Sequence, residues 1–254
     1  MSHPCSLRHF SSLGITTALA VTLGACASSG PRGPSEKVID RVLASAPGEA
    51  QPSTIVSTEI AYAKAARQDG LGAAMAEYAA PGAQIHTGDG LVPAQAGAIT
   101  KEQWAPRVVV KSCDGSLALS QGRFADATGK VGNYITTWQR QPEGDFKWSY
   151  EVSGLDDPQP PPRKQFEDGD IVVTALDVVK GLIATCPREG EPTPPPPPIP
   201  VGEGGASAAQ TSRDGTLRWR WEQREGGTKY VTAEYYFQGK WVTAIEESLA
   251  SPSE

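Results

Sequence analysis

Residues 131–152, VGNYITTWQRQPEGDFKWSYEV, limit most strongly what this chain can become. They read as two amphipathic strands joined by a turn at Pro142, Glu143, Gly144 and Asp145. Successive side chains of a strand point to opposite sides, so Tyr134, Thr136 and Trp138 share one face of the first strand and Val131, Asn133 and Ile135 the other. The same alternation puts Phe146, Trp148, Tyr150 and Val152 together on the second strand. A hairpin with aromatic rows is held by cross-strand ring pairs and has to bury one face under other elements. Rings remaining on the second face suit a curved sheet that encloses a pocket.

The chain before the hairpin supplies those other elements. Pro52 and Ser53 open a helix on which Ile55, Val56, Glu59, Tyr62, Ala63 and Ala66 recur at helical spacing until Gly70 stops it. A shorter helix over 72–80 turns Met75 and Tyr78 inward, a short strand follows at 84–87, and a third helical piece is expected over 93–104. After Pro106 the period changes to two, giving strands over 107–113 and 116–124 with turns at Asp114-Gly115 and 127–130. Two helices, a short strand, a helix and four antiparallel strands make an α+β order.

The motifs STEIAYAKAARQDG, EYAAPGAQIH, VVVKSCDGSLALSQG and YITTWQRQPEGDFKW resemble the nuclear transport factor 2-like superfamily, and the resemblance covers residues 52–152. That superfamily includes ketosteroid isomerases, scytalone dehydratase, polyketide cyclases and many non-catalytic members; the chain looks most like its small bacterial periplasmic members. The resemblance implies a cone, a bent antiparallel sheet wrapped around a long first helix with an interior cavity. It implies no reaction, because one cone hosts many functions.

Residue chemistry narrows the function. The formal net charge is −6 and no Lys/Arg cluster offers a track for phosphates, so nucleic acid is not an expected partner. Beyond residue 25 the sole histidine is His86, which leaves no multi-histidine metal site, and no phosphate-binding or dinucleotide fingerprint is present. No cofactor and no metal are expected. The isomerase branch implies a carboxylate base with hydrogen-bond donors for an oxyanion. The weak catalytic candidates are Asp89 and His86 after the first short strand, with Tyr62 as the phenol; Asp89 in Thr87-Gly88-Asp89-Gly90 also reads as turn chemistry. Strict alternation puts no acid on the ring-bearing face of the hairpin. Tyr62, Trp104, Tyr134, Trp138 and Trp148 are therefore the candidate ligand pocket, with a plain packed core as the other reading.

The two ends complete the organisation. Residues 1–25 hold a weakly basic start and a short apolar run, too short to span a bilayer as a stable helix. Leu23-Gly24-Ala25-Cys26 resembles the bacterial lipobox, which implies diacylation of Cys26, and two acyl chains hold a protein on a membrane. Ala27 and Ser28 follow without an Asp, favouring the outer membrane over the inner one. Residues 26–52 read as tether. Cys5 leaves with the leader and Cys26 with the lipid, so Cys113 and Cys186 remain as a disulfide pair or as two buried thiols. Residues 156–206 read as a Pro-rich insertion holding one short strand or helix, with its second proline block extended. Residues 207–250 read as three strands that extend the cone sheet or cap it, with Trp219 and Trp221 alternating with Arg218 and Arg220.

These features favour a lipid-anchored cell-envelope protein whose non-catalytic cone binds a small apolar ligand or a protein partner. The alternative is an isomerase or lyase with a carboxylate or His base in the cavity. A third role is strand pairing between copies, in a homodimer or a larger envelope assembly.

Overall fold

The computed structural model describes residues 51–95, 101–161, 178–188, 191–199 and 206–250. Cys26, the leader and most of the tether lie outside them.

Pro52 opens α1 (Pro52–Asp69), where its missing N–H is no loss, and Gly70 ends it at φ 89°. The buried side of α1 is Ile55, Glu59, Tyr62 and Ala63, a stripe at helical spacing that includes one carboxylate. The second helix, α2 (Leu71–Tyr78), leads directly into β1 (Ala79–Thr87) and β2 (Gly90–Pro93). Next come β3 (Gln103–Lys111), β4 (Leu117–Ala125), β5 (Val131–Arg140), β6 (Phe146–Leu155) and β7 (Lys180–Ile183). These seven strands form one sheet in the order β2-β1-β6-β5-β4-β3-β7. It is mixed, not purely antiparallel as expected, because β1 runs parallel to β6 and β7 parallel to β3.

The helical piece expected over 93–104 is not found: residues 94–95 are a turn, β3 begins at Gln103, and 96–100 lie outside the described residues. Of the insertion at 156–206, read as holding one short strand or helix, the described part contains strand β7. The C-terminal region makes four strands instead of three, β8 (Ser207–Thr211), β9 (Leu217–Gln223), β10 (Lys229–Phe237) and β11 (Lys240–Leu249). They form a separate antiparallel sheet in the order β11-β10-β9-β8. It does not lengthen the first sheet but packs upon it.

The larger sheet therefore has two buried faces. One packs against α1 and α2 through Ile55, Tyr62, Trp104, Val109, Phe124, Tyr134, Trp138 and Trp148. The other packs against β9–β11, with Leu117, Leu119, Ile135, Tyr150 and Val152 meeting Leu217, Trp219, Trp221, Val231 and Ile245. Burying both faces explains why strands beyond the hairpin are needed at all.

One irregularity decides which residues face the helices. Thr137 pairs with Tyr150 but Trp138 pairs with Trp148, so Ser149 is an extra residue, a β-bulge in β6. Phe146, Trp148, Tyr150 and Val152 consequently do not share a face. Phe146 and Trp148 look toward the helices, and Tyr150 and Val152 toward the second sheet. Glu151, placed opposite Thr136, turns to the helix side.

The two sheets are joined at twin turns. Ser112-Cys113-Asp114-Gly115-Ser116-Leu117 recurs as Ser212-Arg213-Asp214-Gly215-Thr216-Leu217, and each serine hydroxyl donates to its aspartate at 2.6–2.7 Å. The turns also clasp one another: the Asp114 N–H donates to Asp214 Oδ2 at 2.8 Å and the Cys113 N–H to Thr216 Oγ1 at 3.0 Å. Cys113 is disulfide-bonded to Cys186. The proline block is docked: Trp241 Nε1 donates to the Pro194 carbonyl at 3.0 Å and Arg218 Nη1 to that of Pro197 at 2.7 Å. Arg220 and Arg224 lie over Tyr230, not over the neighbouring tryptophans.

Candidate functional site

The rings named as a candidate pocket come together as part of the packed core between the helices and the larger sheet. Tyr62 of α1 is the hub, with ring centroids 5.1 Å from Trp104, 6.4 Å from Trp148 and 6.5 Å from Trp138. Tyr134 joins through Lys101, whose Nζ lies 4.3 Å from the Tyr134 ring and 4.6 Å from that of Trp104. All five aromatic residues are buried.

Among these rings sit charges. Glu59, one turn before Tyr62 on α1, Lys101 just ahead of β3, and Glu151 on β6 are each no more than 3 % exposed. Lys101 Nζ lies 2.9 Å from Glu151 Oε2. The ring-bearing side of the hairpin thus carries an acid after all, and a second acid reaches it from the helix. Burial raises the pKa of Glu59; the Ser120 and Tyr134 hydroxyls and Lys101 oppose that rise, and Glu151 adds to it. Burial likewise holds the phenols of Tyr62 and Tyr134 neutral, lifting both well above their usual range.

Six buried polar atoms of this cluster make neither a hydrogen bond of proper geometry nor an ion pair among the described residues: both carboxylate oxygens of Glu59, the hydroxyls of Tyr62 and Tyr134, and the indole nitrogens of Trp104 and Trp148, while Lys101 Nζ and Glu151 Oε2 have each other. They lie near one another, with Glu59 facing Tyr134 and Tyr62 facing Trp148, but without hydrogen-bond geometry. Trp138 differs, donating from Nε1 to Ser120 Oγ at 2.9 Å. A cleft of about 730 Å³ lies alongside, lined in part by Arg67, Leu71, Lys101, Glu102 and Asp126. Lys101 is the residue that the cleft and the buried cluster share.

Asp89 and His86 stand apart from Tyr62. Asp89 is exposed in the β1–β2 turn, its N–H donating to Thr87 Oγ1 at 3.3 Å. His86 lies between the sheets, its ring centroid 4.8 Å from that of Trp221. Gln223 Nε2 donates to the Gly88 carbonyl, so Gln223 Oε1 is the acceptor for His86 Nε2–H at 2.6 Å. His86 Nδ1 then accepts from the Tyr150 hydroxyl at 2.7 Å. That network holds a neutral imidazole, and burial lowers its pKa further.

Sequence reasoning missed three residues of the cluster, each for a different reason. Glu59 was visible as a carboxylate on a core stripe, a signal with physical meaning because unpaired acids are rarely buried. Glu151 was hidden by the bulge, and Lys101 by the helix expected at its position.

Among the described residues no group of three or more His, Cys, Asp and Glu side chains is placed to hold a metal, and no helix is long and apolar enough to cross a membrane. No protein-family model matches the chain, and no curated protein matches it.

Proposed function

We propose that this chain is a lipid-anchored protein of the bacterial cell envelope whose interior, framed as a nuclear transport factor 2-like cone, binds a small amphiphilic ligand. The lipobox-like sequence at Cys26 supports the anchor, and the motif resemblance together with two helices on one face of a large sheet supports the frame. One observation carries the binding reading: six buried polar atoms without a well-formed hydrogen bond, gathered with a buried Lys101–Glu151 ion pair among five aromatic rings. A buried polar group without a partner costs about 1–3 kcal/mol, and native proteins leave few. A ligand whose polar end meets Glu59, Lys101 and Glu151 and whose body lies on the rings satisfies those atoms. The apolar ligand expected from the rings alone is replaced by one with a polar end.

Native mass spectrometry of the chain purified gently from envelope membranes tests this. The expected result is an added mass, absent from the protein recovered after denaturation and refolding. Finding no adduct, together with a melting temperature unmoved by an envelope extract, removes the binding reading. Labelling with a fatty-acid analogue tests the anchor separately, and Cys26→Ser should abolish the label.

Glu59 also favours a second reading, an isomerase or lyase. A carboxylate with a raised pKa beside two neutral phenols has the makings of a general base with hydrogen-bond donors. In that reading Glu59 takes the role first sought in Asp89 and His86. Turnover of an enolisable ketone, lost in Glu59→Gln, is the expected sign.

A further inference from the structure

We infer that the interior is an ammonium box, and that the ligand called for above carries a primary amine which takes the place of the Lys101 ammonium. This rests on the binding reading and names the chemical class of the ligand.

Lys101 already acts as a stand-in for such a group. Its Nζ has a carboxylate oxygen of Glu151 at 2.9 Å, the face of Tyr134 at 4.3 Å and the face of Trp104 at 4.6 Å. An acid with two ring faces is how proteins recognise an ammonium, since the negative faces of the rings attract a desolvated cation. Glu59 stands within electrostatic reach as a second acid.

The box fits its present occupant poorly. An ammonium has three N–H donors, yet the polar partner of Lys101 Nζ among the described residues is Glu151 Oε2 alone. Meanwhile both oxygens of Glu59 and the hydroxyls of Tyr62 and Tyr134 lie beside polar neighbours without a hydrogen bond of proper geometry. The site therefore offers more acceptors than its own lysine uses. A ligand amine, not fixed to a backbone at the start of β3, can turn its three donors toward Glu59, Glu151 and Tyr134 together. Charge favours the exchange, because one cation replaces another beside Glu151. An anionic ligand would face two buried carboxylates. A neutral ligand would leave Glu151 without a counter-charge once Lys101 moved, which is expensive for a buried acid.

The test uses the full chain in detergent. Lys101→Ala removes the ammonium and three methylenes, so propylammonium is the missing piece, with propanol and propionate as neutral and anionic controls. Propylammonium should raise the Lys101→Ala melting temperature saturably by about 5 °C, leave the wild type nearly unmoved, and lose its effect when Glu151→Gln is added. Equal shifts in both proteins, or rescue by propanol or propionate, overturn the inference.

If Lys101→Ala does not fold, the tryptophan fluorescence of the wild-type chain decides, titrated with hexylammonium, hexanol and hexanoate. The amine should change it saturably and about tenfold more tightly than either control; parity, or no response to the amine, overturns the inference. An adduct seen by native mass spectrometry that proves neutral or anionic ends the ammonium box and leaves the binding reading standing. Absence of any adduct ends the binding reading itself.

Discussion

At the scale of single residues, Glu59 shows how a side chain can weaken a fold while equipping it. Its pKa is raised by burial above the ordinary 4.5, so the folded chain holds that proton more tightly than the unfolded chain does. The sign follows by linkage: as pH climbs past 4.5 the unfolded state ionises first, and this group draws stability away until pH passes the folded value. Glu59→Gln removes the titration. Urea unfolding should show the variant level with the wild type near pH 4 and more stable at pH 7. A wild-type advantage that grows with pH would mean that Glu59 is held as a stabilising anion.

Gly122 makes the complementary point about space. It pairs with Tyr134 in β5, and a Cβ there would stand 2.7 Å from the Tyr134 hydroxyl and 2.1 Å from the Ala105 carbonyl. Backbone cannot yield as a flexible side chain can, so Gly122→Ala should cost about 1–3 kcal/mol in denaturant unfolding. Tyr134→Phe placed in the same background relieves only the hydroxyl contact and should recover a minor part of the loss.

At the scale of elements, β6 carries the decisive feature. The period of a strand is two, so one inserted residue exchanges the faces of everything on one side of it. Ser149 is that residue, and by its presence Trp148 and Glu151 both face the helices while Tyr150 and Val152 face Trp219 and its neighbours. Deleting Ser149 would make Trp148 and Tyr150 neighbours, and plain alternation would then keep Trp148 and Glu151 on the helix side and Tyr150 and Val152 on the other. The expected outcome is a deletion variant that keeps cooperative unfolding by near-ultraviolet circular dichroism, as replacement by Ala should also do. A deletion variant that loses its cooperative melt would show that β6 needs the bulge itself and not only the facing it produces.

At the scale of the whole molecule, the stacked sheets depend on joints between segments far apart in the chain. The Cys113–Cys186 bond spans 73 residues and ties the end of β3 to the stretch after β7. Closing so long a loop constrains the unfolded chain, and Cys113→Ser with Cys186→Ser should lower stability by about 2–4 kcal/mol. Urea midpoints of the wild type with and without reductant check this, and the double variant should not respond to reductant. The clasped turns at Asp114 and Asp214 are a second joint next to the first, so the second sheet should remain docked in the reduced protein.

What the sequence determined by itself is what short-range physics determines. Pro52, the stripe on α1 and Gly70 bound the first helix; the turn residues after Gln141 place the hairpin; Tyr62, Trp104, Tyr134, Trp138 and Trp148 could be picked out as rings that meet. Period, capping and turn chemistry depend on a few neighbours and survive any tertiary context that accepts them. Only the tertiary structure decided the rest. The bulge at Ser149 answers to both sheet faces at once, because the helices need Trp148 and the second sheet needs Tyr150. The strand β8, exposed along most of its length, has its partner in β9 and no strong pattern of its own. Lys101 finds its acid 50 residues away in sequence, on β6. Each of these is settled by what lies across a layer, and a chain read along its length has no measure of that.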